Sequence, residues 1–305
     1  MAENNIFVVI VNYHSHDMIA ELLAKLDAPK FERVVIVDNS ACPNEYNDLT
    51  RVAGDHGVTS LRMESNVGFG AAVNAGVRHL NPDPTGCIWI LNPDTIASHS
   101  AAVQLTQSIV DMRADMVSPV ILTGDGDEVW FGGGHFDFYR GRTSHWDFRP
   151  SSLVDCDFLT AAAVMVSVSA WHKLGGFRED LFMYWEDADL CLRAQALGIR
   201  MAVDPSIPIW HAVGATTSSE GKSALYYYYM ERNRMLVLCD TYGRKYLFSV
   251  GVMLETLRVL SRAIREPVGR IRKSNAAVRG IRDGIRGVFG QRDASEVLAS
   301  STRPG

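Results

Sequence analysis

At 305 residues the chain has room for one large domain or two modest ones, and 47% hydrophobic with 21% charged residues excludes a disordered or fibrous protein. Five scattered cysteines, with no CxxC spacing, exclude a disulfide framework and a zinc cluster and point to a reducing compartment. The net charge of −5 conceals an asymmetry: Arg244–Arg292 holds twelve basic residues against three acids, so an acidic body is followed by a basic segment suited to an anionic surface or partner.

The first residues, MAENNIFVVIVNYHS, contain an apolar run too short and wrongly flanked for a signal peptide. No uninterrupted apolar segment approaches the roughly 20 residues of a spanning helix. The expectation is a cytoplasmic protein whose membrane contact, if any, is peripheral.

Ile6–Asn12 is a continuous β-branched run, the signature of a parallel strand buried on both faces. His16–Leu26 has apolar residues at helical spacing, and Arg33–Val37 is a second buried strand ending at Asp38-Asn39-Ser40. Thr59–Met63 predicts a short third strand, Gly70–Leu80 a helix, and Cys87–Leu91 a fourth strand ending at Asn92-Pro93-Asp94. Strands alternating with helices imply βαβ units and a mainly parallel α/β sheet flanked by helices. Ligands of such sheets sit at the carboxyl ends of the strands, where Asn12, Asp38-Asn39 and Asn92-Pro93-Asp94 all fall.

Gly124–Pro150 is rich in Gly, Asp and aromatics and reads as turns with short antiparallel strands. Phe158–Arg200 follows, with Glu186-Asp187-Ala188-Asp189 directly behind the apolar run Leu181–Trp185. A carboxylate against apolar walls has its pKa raised, which suits a base or a metal ligand. The same acids also suit the first turn of a helix, without chemistry. YYYYMERNRMLVLC reads as a helix whose tyrosines span a full turn and so cannot all face one partner. Arg244–Arg286 reads as one or two amphipathic helices broken at Pro267, and the last residues, 293–305, as a frayed tail.

Asn66-Val67-Gly68-Phe69-Gly70, with Asn74, has the look of a phosphate-binding glycine loop, but the full GxGxxG pattern and a P-loop lysine are absent, so a tight turn explains it equally well. Asp94 could cap a turn or a helix starting at Thr95, or equally hold a hard cation beside a diphosphate. His211 among apolar neighbours reads first as a packed, hydrogen-bonded core residue. No nucleophile elbow or Cys/His pair stands out.

Six ordered motifs, VVIVNYHS, VVIVDNS, NVGFGAAVNAG, WILNPDT, FLTAAAVMVSVSAWHKLGGFREDLFMYWEDADLCLRAQALG and the late WHAVGAT with YYYYMERNRM, make the chain resemble the family-2, GT-A-fold glycosyltransferases, in particular bacterial rhamnosyltransferases. The resemblance runs from Ile6 to about Leu238. It implies a GT-A domain over 1–240, with a nucleotide-binding half to about 120 and an acceptor half after it, then a basic amphipathic extension over 241–292. By similarity, Val11, Asn12, Asp38 and Asn39 line the nucleotide pocket, followed by Asn66, Gly68, Phe69 and Asn74. Asn92-Pro93-Asp94 takes the place of the family's DxD signature with Asn for the first acid, so Asp94 alone carries the carboxylate to a Mg²⁺ or Mn²⁺ ion. Asp187 matches the general base of inverting members, Glu186 its supporting neighbour and His211 a further metal ligand.

The implied reaction transfers a sugar, L-rhamnose from dTDP-rhamnose, to a hydroxyl of a polyprenyl-diphosphate-linked glycan at the inner face of the cell membrane. A galactofuranosyl- or other hexosyltransferase using a UDP-sugar is the alternative. A nucleotidyltransferase would show a basic glycine-rich loop near its N-terminus, and a non-catalytic binding protein would need no base. The basic helices could lie on anionic lipid, pack on the body or pair two subunits in a homodimer. Without a recognition motif and with an acidic body, nucleic acid is not an expected partner.

Overall fold

Strand β1 (Ile6–Asn12) is buried at every position, so neither of its faces meets water and the β-branched run is accounted for by packing on both sides. The computed structural model describes residues 5–126, 128–212 and 221–298. The chain divides into two units, one of Met1–His135, Ser144–Glu179 and Asp187–Val213, the other of Phe136–Thr143, Asp180–Glu186 and Gly214–Gly305.

In the first unit β1 is followed by α1 (His16–Leu26), β2 (Arg33–Asp38), α2 (Pro43–Asp55), β3 (Thr59–Arg62), α3 (Phe69–Leu80) and β4 (Cys87–Leu91). The order β4-β1-β2-β3 is parallel throughout, with Asn12 level with Asp38 in the β1/β2 register. Helix α3 packs close to this sheet because Gly76 has no side chain: a Cβ there would stand 2.8 Å from Val9 and 2.9 Å from Val37.

The remaining elements are β5 (Thr95–Ile96), α4 (His99–Met112), β6 (Met116–Thr123), β7 (Glu128–Phe131), β8 (Gly134–Asp137), β9 (Arg142–His145), β10 (Val154–Asp155), β11 (Ala163–Ser167), α5 (Val168–Leu174), α6 (Glu186–Ala196) and β12 (Met201–His211). The sheet continues from β4 as β11, β6, β12 and β10. β11 enters antiparallel between β4 and β6, while β6 and β12 are parallel, so the sheet is parallel on the N-terminal side and mixed beyond it. The expected short strands of Gly124–Pro150 are present as β7, which pairs with β6, and as the separate pair β8-β9.

Of the helix and the turn left open after Asn92, the structure has the turn. The Thr95 N–H and hydroxyl both donate back to the Asn92 carbonyl (3.3 and 2.7 Å), Thr95–Ile96 pairs with β12, and the helix waits for Ser98, whose hydroxyl accepts from the Ala101 N–H.

The second unit is built around α7 (Ala224–Tyr242), α8 (Val250–Ile264), α9 (Arg270–Ile285) and α10 (Ala294–Leu298). α7 belongs to this unit, so the boundary expected near 240 falls within a helix. Three of its tyrosines are enclosed, each phenol finding its own partner: Tyr227 donates to Glu266 (2.7 Å), Tyr228 to Asp283 (3.0 Å), and Tyr229 accepts from the Arg292 N–H (2.9 Å). α9 approaches α7 closely because Gly280 and Gly284, four residues apart, leave no room for a Cβ against the carbonyls of Tyr228 and Arg232. Pro267 lies between α8 and α9, as its ring requires. The tail read as frayed contains α10, with Val297 buried; residues 299–305, like the Val213–Thr216 part of WHAVGAT, lie outside the described residues.

Candidate active site

At the carboxyl ends of β1 and β2 the buried polar residues hold one another. The Asn12 amide donates to Asp38 Oδ1 and to Glu45 Oε1, both at 3.0 Å, and its carbonyl oxygen accepts from the Ser15 N–H. Val11, one residue earlier, is buried in the strand. Asp38 also accepts from the Ser40 N–H, yet its Oδ2 is buried with no hydrogen-bond partner among the described residues. A buried carboxylate oxygen left unmatched is costly, and an incoming donor group would relieve it.

Asn39 links this cluster to the loop before α3. Its amide donates to Asn66 Oδ1 (2.9 Å), its oxygen accepts from the Val67 N–H, and Asn66 accepts also from the Gly68 N–H. Gly68 has φ of 89°, so the glycine serves the turn itself. Phe69 begins α3 with its ring 6.0 Å from that of Phe177. Asn74, expected beside the nucleotide by similarity, has its side chain engaged at the turn after α5. Its amide donates to the Phe177 carbonyl (2.8 Å) and to Glu179, while its oxygen accepts from the Phe177 N–H, so the group is spent on the turn after α5.

Asn92-Pro93-Asp94 turns out of β4, and the antiparallel pairing of β5 with β12 sets His211 opposite Thr95. That register brings His211 Nε2 to 2.9 Å from Asp94 Oδ1 across 117 residues of sequence. His211 is buried, with Trp130 edge-on to its ring, and its Nδ1 has no hydrogen-bond partner among the described residues. One carboxylate and one imidazole suit a divalent cation that takes its other ligands from a diphosphate and water. Among the described residues there is no cluster of three His, Cys, Asp or Glu side chains that could close such a site without the ligand.

Asp187 stands in the first turn of α6. Its carboxylate accepts from the Ala188 N–H (2.8 Å) and from the Ala161 N–H. Burial nevertheless outweighs these bonds and pushes the carboxyl up to about 6 from an ordinary 3.8. The next residue, Ala162, accepts from the Asn92 N–H at 2.8 Å, so the Ala161-Ala162 step connects Asp187 to the turn that carries Asp94. Asp189 has a different role: Arg193 donates to it at 2.8 Å and Arg178 stands 3.8 Å away, tying it into the structure. Glu186, in the second unit, lends its charge to Tyr184, whose phenol is pushed up to about 12 chiefly by burial.

Sequence reasoning missed two supports. Glu45 receives Asn12 and His16 Nδ1 (2.9 Å); burial works to raise its carboxyl, but these bonds prevail and hold it below its ordinary value. No periodicity marks it, because it lies on a helix turned toward a distant strand end. In the second unit, Phe182, Tyr184 and Trp185 all have φ between 65° and 70°, a strained backbone for bulky residues. The Asn233 amide lies 2.8–2.9 Å from the carbonyls of Leu181, Met183 and Tyr184, and Arg232 donates to Leu181 as well. The segment so held leads into Glu186-Asp187. Its signal in the sequence was the charged and amide pair Arg232-Asn233 inside an aromatic helix.

The family profile described as "Glycosyl transferase family 2" matches residues 7–167. The hexosyltransferase Agl10 of low-salt glycan biosynthesis in Haloferax volcanii is 23% identical over 202 residues, covering 65% of this chain and 64% of its own length. The dTDP-rhamnosyl transferase RfbF of Shigella flexneri is 23% identical over 300 residues, covering 94% and 97%. Among solved structures, GalNAc-T7 with UDP, GalNAc and Mn²⁺ superposes with a TM-score of 0.60 at 15% identity, over 92% of this chain and 54% of that one, a likeness of fold.

Proposed function

The chain belongs to glycosyl transferase family 2, and from that premise we propose that it is an inverting glycosyltransferase moving L-rhamnose from dTDP-rhamnose to a hydroxyl of a polyprenyl-diphosphate-linked glycan at the inner face of the cell membrane. The raised carboxyl of Asp187, connected through Ala161-Ala162 to the Asp94 turn, is the observation that carries the reading. A base poised near 6 is ionised at neutral pH and still basic enough to take a proton. Near full-length similarity to a dTDP-rhamnosyl transferase supports the donor. The alternative, a hexosyltransferase using a UDP-sugar, has the similarity to Agl10 in its favour.

In this reading the nucleotide enters at the ends of β1 and β2, where the unmatched Asp38 Oδ2 accepts from it and the Asn39-Asn66 bond fixes the neighbouring loop. Asp94 and His211 would hold a Mg²⁺ or Mn²⁺ ion, which when bound neutralises negative charge on the diphosphate. Asp187 takes the proton of the acceptor hydroxyl as its oxygen attacks the anomeric carbon opposite the diphosphate; the bond from that carbon to the phosphate oxygen breaks, the nucleoside diphosphate leaves with the electron pair, and the new bond has inverted configuration. Glu186 supports that base.

Incubation with a panel of dTDP-, UDP- and GDP-sugars, followed by thermal shift and donor hydrolysis, tests the donor. dTDP-rhamnose should give the largest shift and the fastest hydrolysis. A larger response to a UDP-hexose would favour the alternative, and no response to any donor would count against a transferase.

A further inference from the structure

Helix α8 turns its apolar residues outward. At 100° per residue, Val250, Met253, Leu254, Leu257 and Ile264 fall within an arc of about 100°, and each is at least 50% exposed. The opposite side carries Gly251, Val252, Glu255 and Ala263, all buried. Gly251 leaves no room for a Cβ against the Tyr139 carbonyl, and Ala263 packs with Tyr227 and Ala277. The helix is therefore seated on its unit by small residues while its large aliphatic ones meet water. Val268 and Ile271, after α8 ends, are exposed as well.

The charges of the same stretch are sorted in the complementary way. Arg258, Arg262, Arg265, Arg270 and Arg272 are exposed. All three acids turn inward to partners: Glu255 to Arg258 (2.6 Å), Glu266 to Lys273 (3.0 Å) and Tyr227, Asp283 to Tyr228. What faces solvent is hydrocarbon with arginines along one flank, Arg265 and Arg262 among them, while Arg258 is shared with Glu255. Among the described residues no helix is long and apolar enough to cross a membrane.

We propose that this face of α8 is a membrane-docking surface that lies flat in the headgroup region of an anionic bilayer. Leu254 and Leu257 enter the acyl boundary, and the arginines meet lipid phosphates, the arrangement by which interfacial helices bind. A large exposed apolar strip needs a cover. A second copy paired antiparallel would set this arginine flank beside its own copy, whereas the phosphates of an anionic bilayer complement it. The surface is independent of the donor and the reaction proposed above.

Flotation of the full-length protein with vesicles, in the absence of any sugar nucleotide, tests this. Vesicles of equal parts phosphatidylcholine and phosphatidylglycerol should carry the protein up at low salt, with much less at high salt or on phosphatidylcholine alone. Leu254→Ser with Leu257→Ser changes only exposed positions, so the circular dichroism melt should stay unchanged while vesicle partition falls at least about tenfold. Arg262→Gln with Arg265→Gln should weaken binding to the anionic vesicles and flatten its salt dependence. The proposal is overturned if the parent stays unbound on anionic vesicles at low salt, or if the serine variant floats as well as the parent. A parent dimer that the serine substitutions convert to monomer, with no vesicle binding, would overturn it in favour of self-association.

Discussion

Replacing Asp187 by Asn should impair the reaction and stabilise the fold, and the two effects have one cause. The amide oxygen can take the place of Oδ1 and still accept from the Ala188 N–H, so the side chain stays in position while the proton acceptor is lost. Transfer should fall by about 10²–10⁴, the usual contribution of a positioned base, with donor affinity within a few-fold of the parent. For stability, the folded carboxyl titrates near 6 and its ordinary value is 3.8. Between those values the folded protein holds a proton that the unfolded chain has released, so stability falls as pH rises across the window and the whole penalty stands above 6. The gap between about 6 and 3.8 is worth at most about 3 kcal/mol, and Asn removes it. Thermal melts of parent and variant should therefore nearly coincide near pH 4 and separate in favour of the variant by pH 7. In the parent, kcat/KM should rise through about pH 6 and then level. A variant that retains turnover, or a melting difference that does not change with pH, would refute this assignment of the base.

Asp94→Ala should weaken nucleotide-diphosphate binding and abolish the gain from adding Mg²⁺ or Mn²⁺, with His211→Ala showing a milder loss; calorimetric titration with and without metal reads both, and equal metal stimulation in parent and Asp94→Ala would remove Asp94 from the site. Asn233→Ala takes the amide away from the half-buried carbonyls of Met183 and Tyr184, while Leu181 keeps Arg232, and should cost about 1–3 kcal/mol of stability. It should lower kcat with donor KM little changed. Asn233→Asp should not rescue it, since a carboxylate has no hydrogen to donate; an unchanged kcat in a folded Asn233→Ala protein would show that the strained segment does not position Glu186-Asp187.

The parallel strands were legible because burial on both faces leaves an uninterrupted β-branched run, and their ends announced themselves as Asn12, Asp38 and Asp94. The contact of Asp94 with His211 was not legible from pattern, because it depends on the β5/β12 register across 117 residues. Asn74 was placed beside the nucleotide by similarity; that its amide is engaged with Phe177, 103 residues away, no local pattern could show. Thr95 left helix and turn open because a β-branched residue after Asp suits both a capped helix and an extended exit from a turn, and pairing with β12 decided it. Helical periodicity revealed the stripe on α8 but is indifferent to which side faces the body. Only the small residues Gly251 and Ala263 hold that information, and their meaning depends on what they pack against.

The most direct test of the account is the stereochemistry of the product formed from dTDP-rhamnose and a polyprenyl-diphosphate-linked saccharide. Nuclear magnetic resonance of the purified product should show a new rhamnosyl linkage whose anomeric configuration is inverted relative to the donor, formed by the parent and not by Asp187→Asn. A retained configuration would contradict direct displacement with Asp187 as base. Turnover of a different sugar nucleotide with inversion would keep the mechanism and overturn the donor.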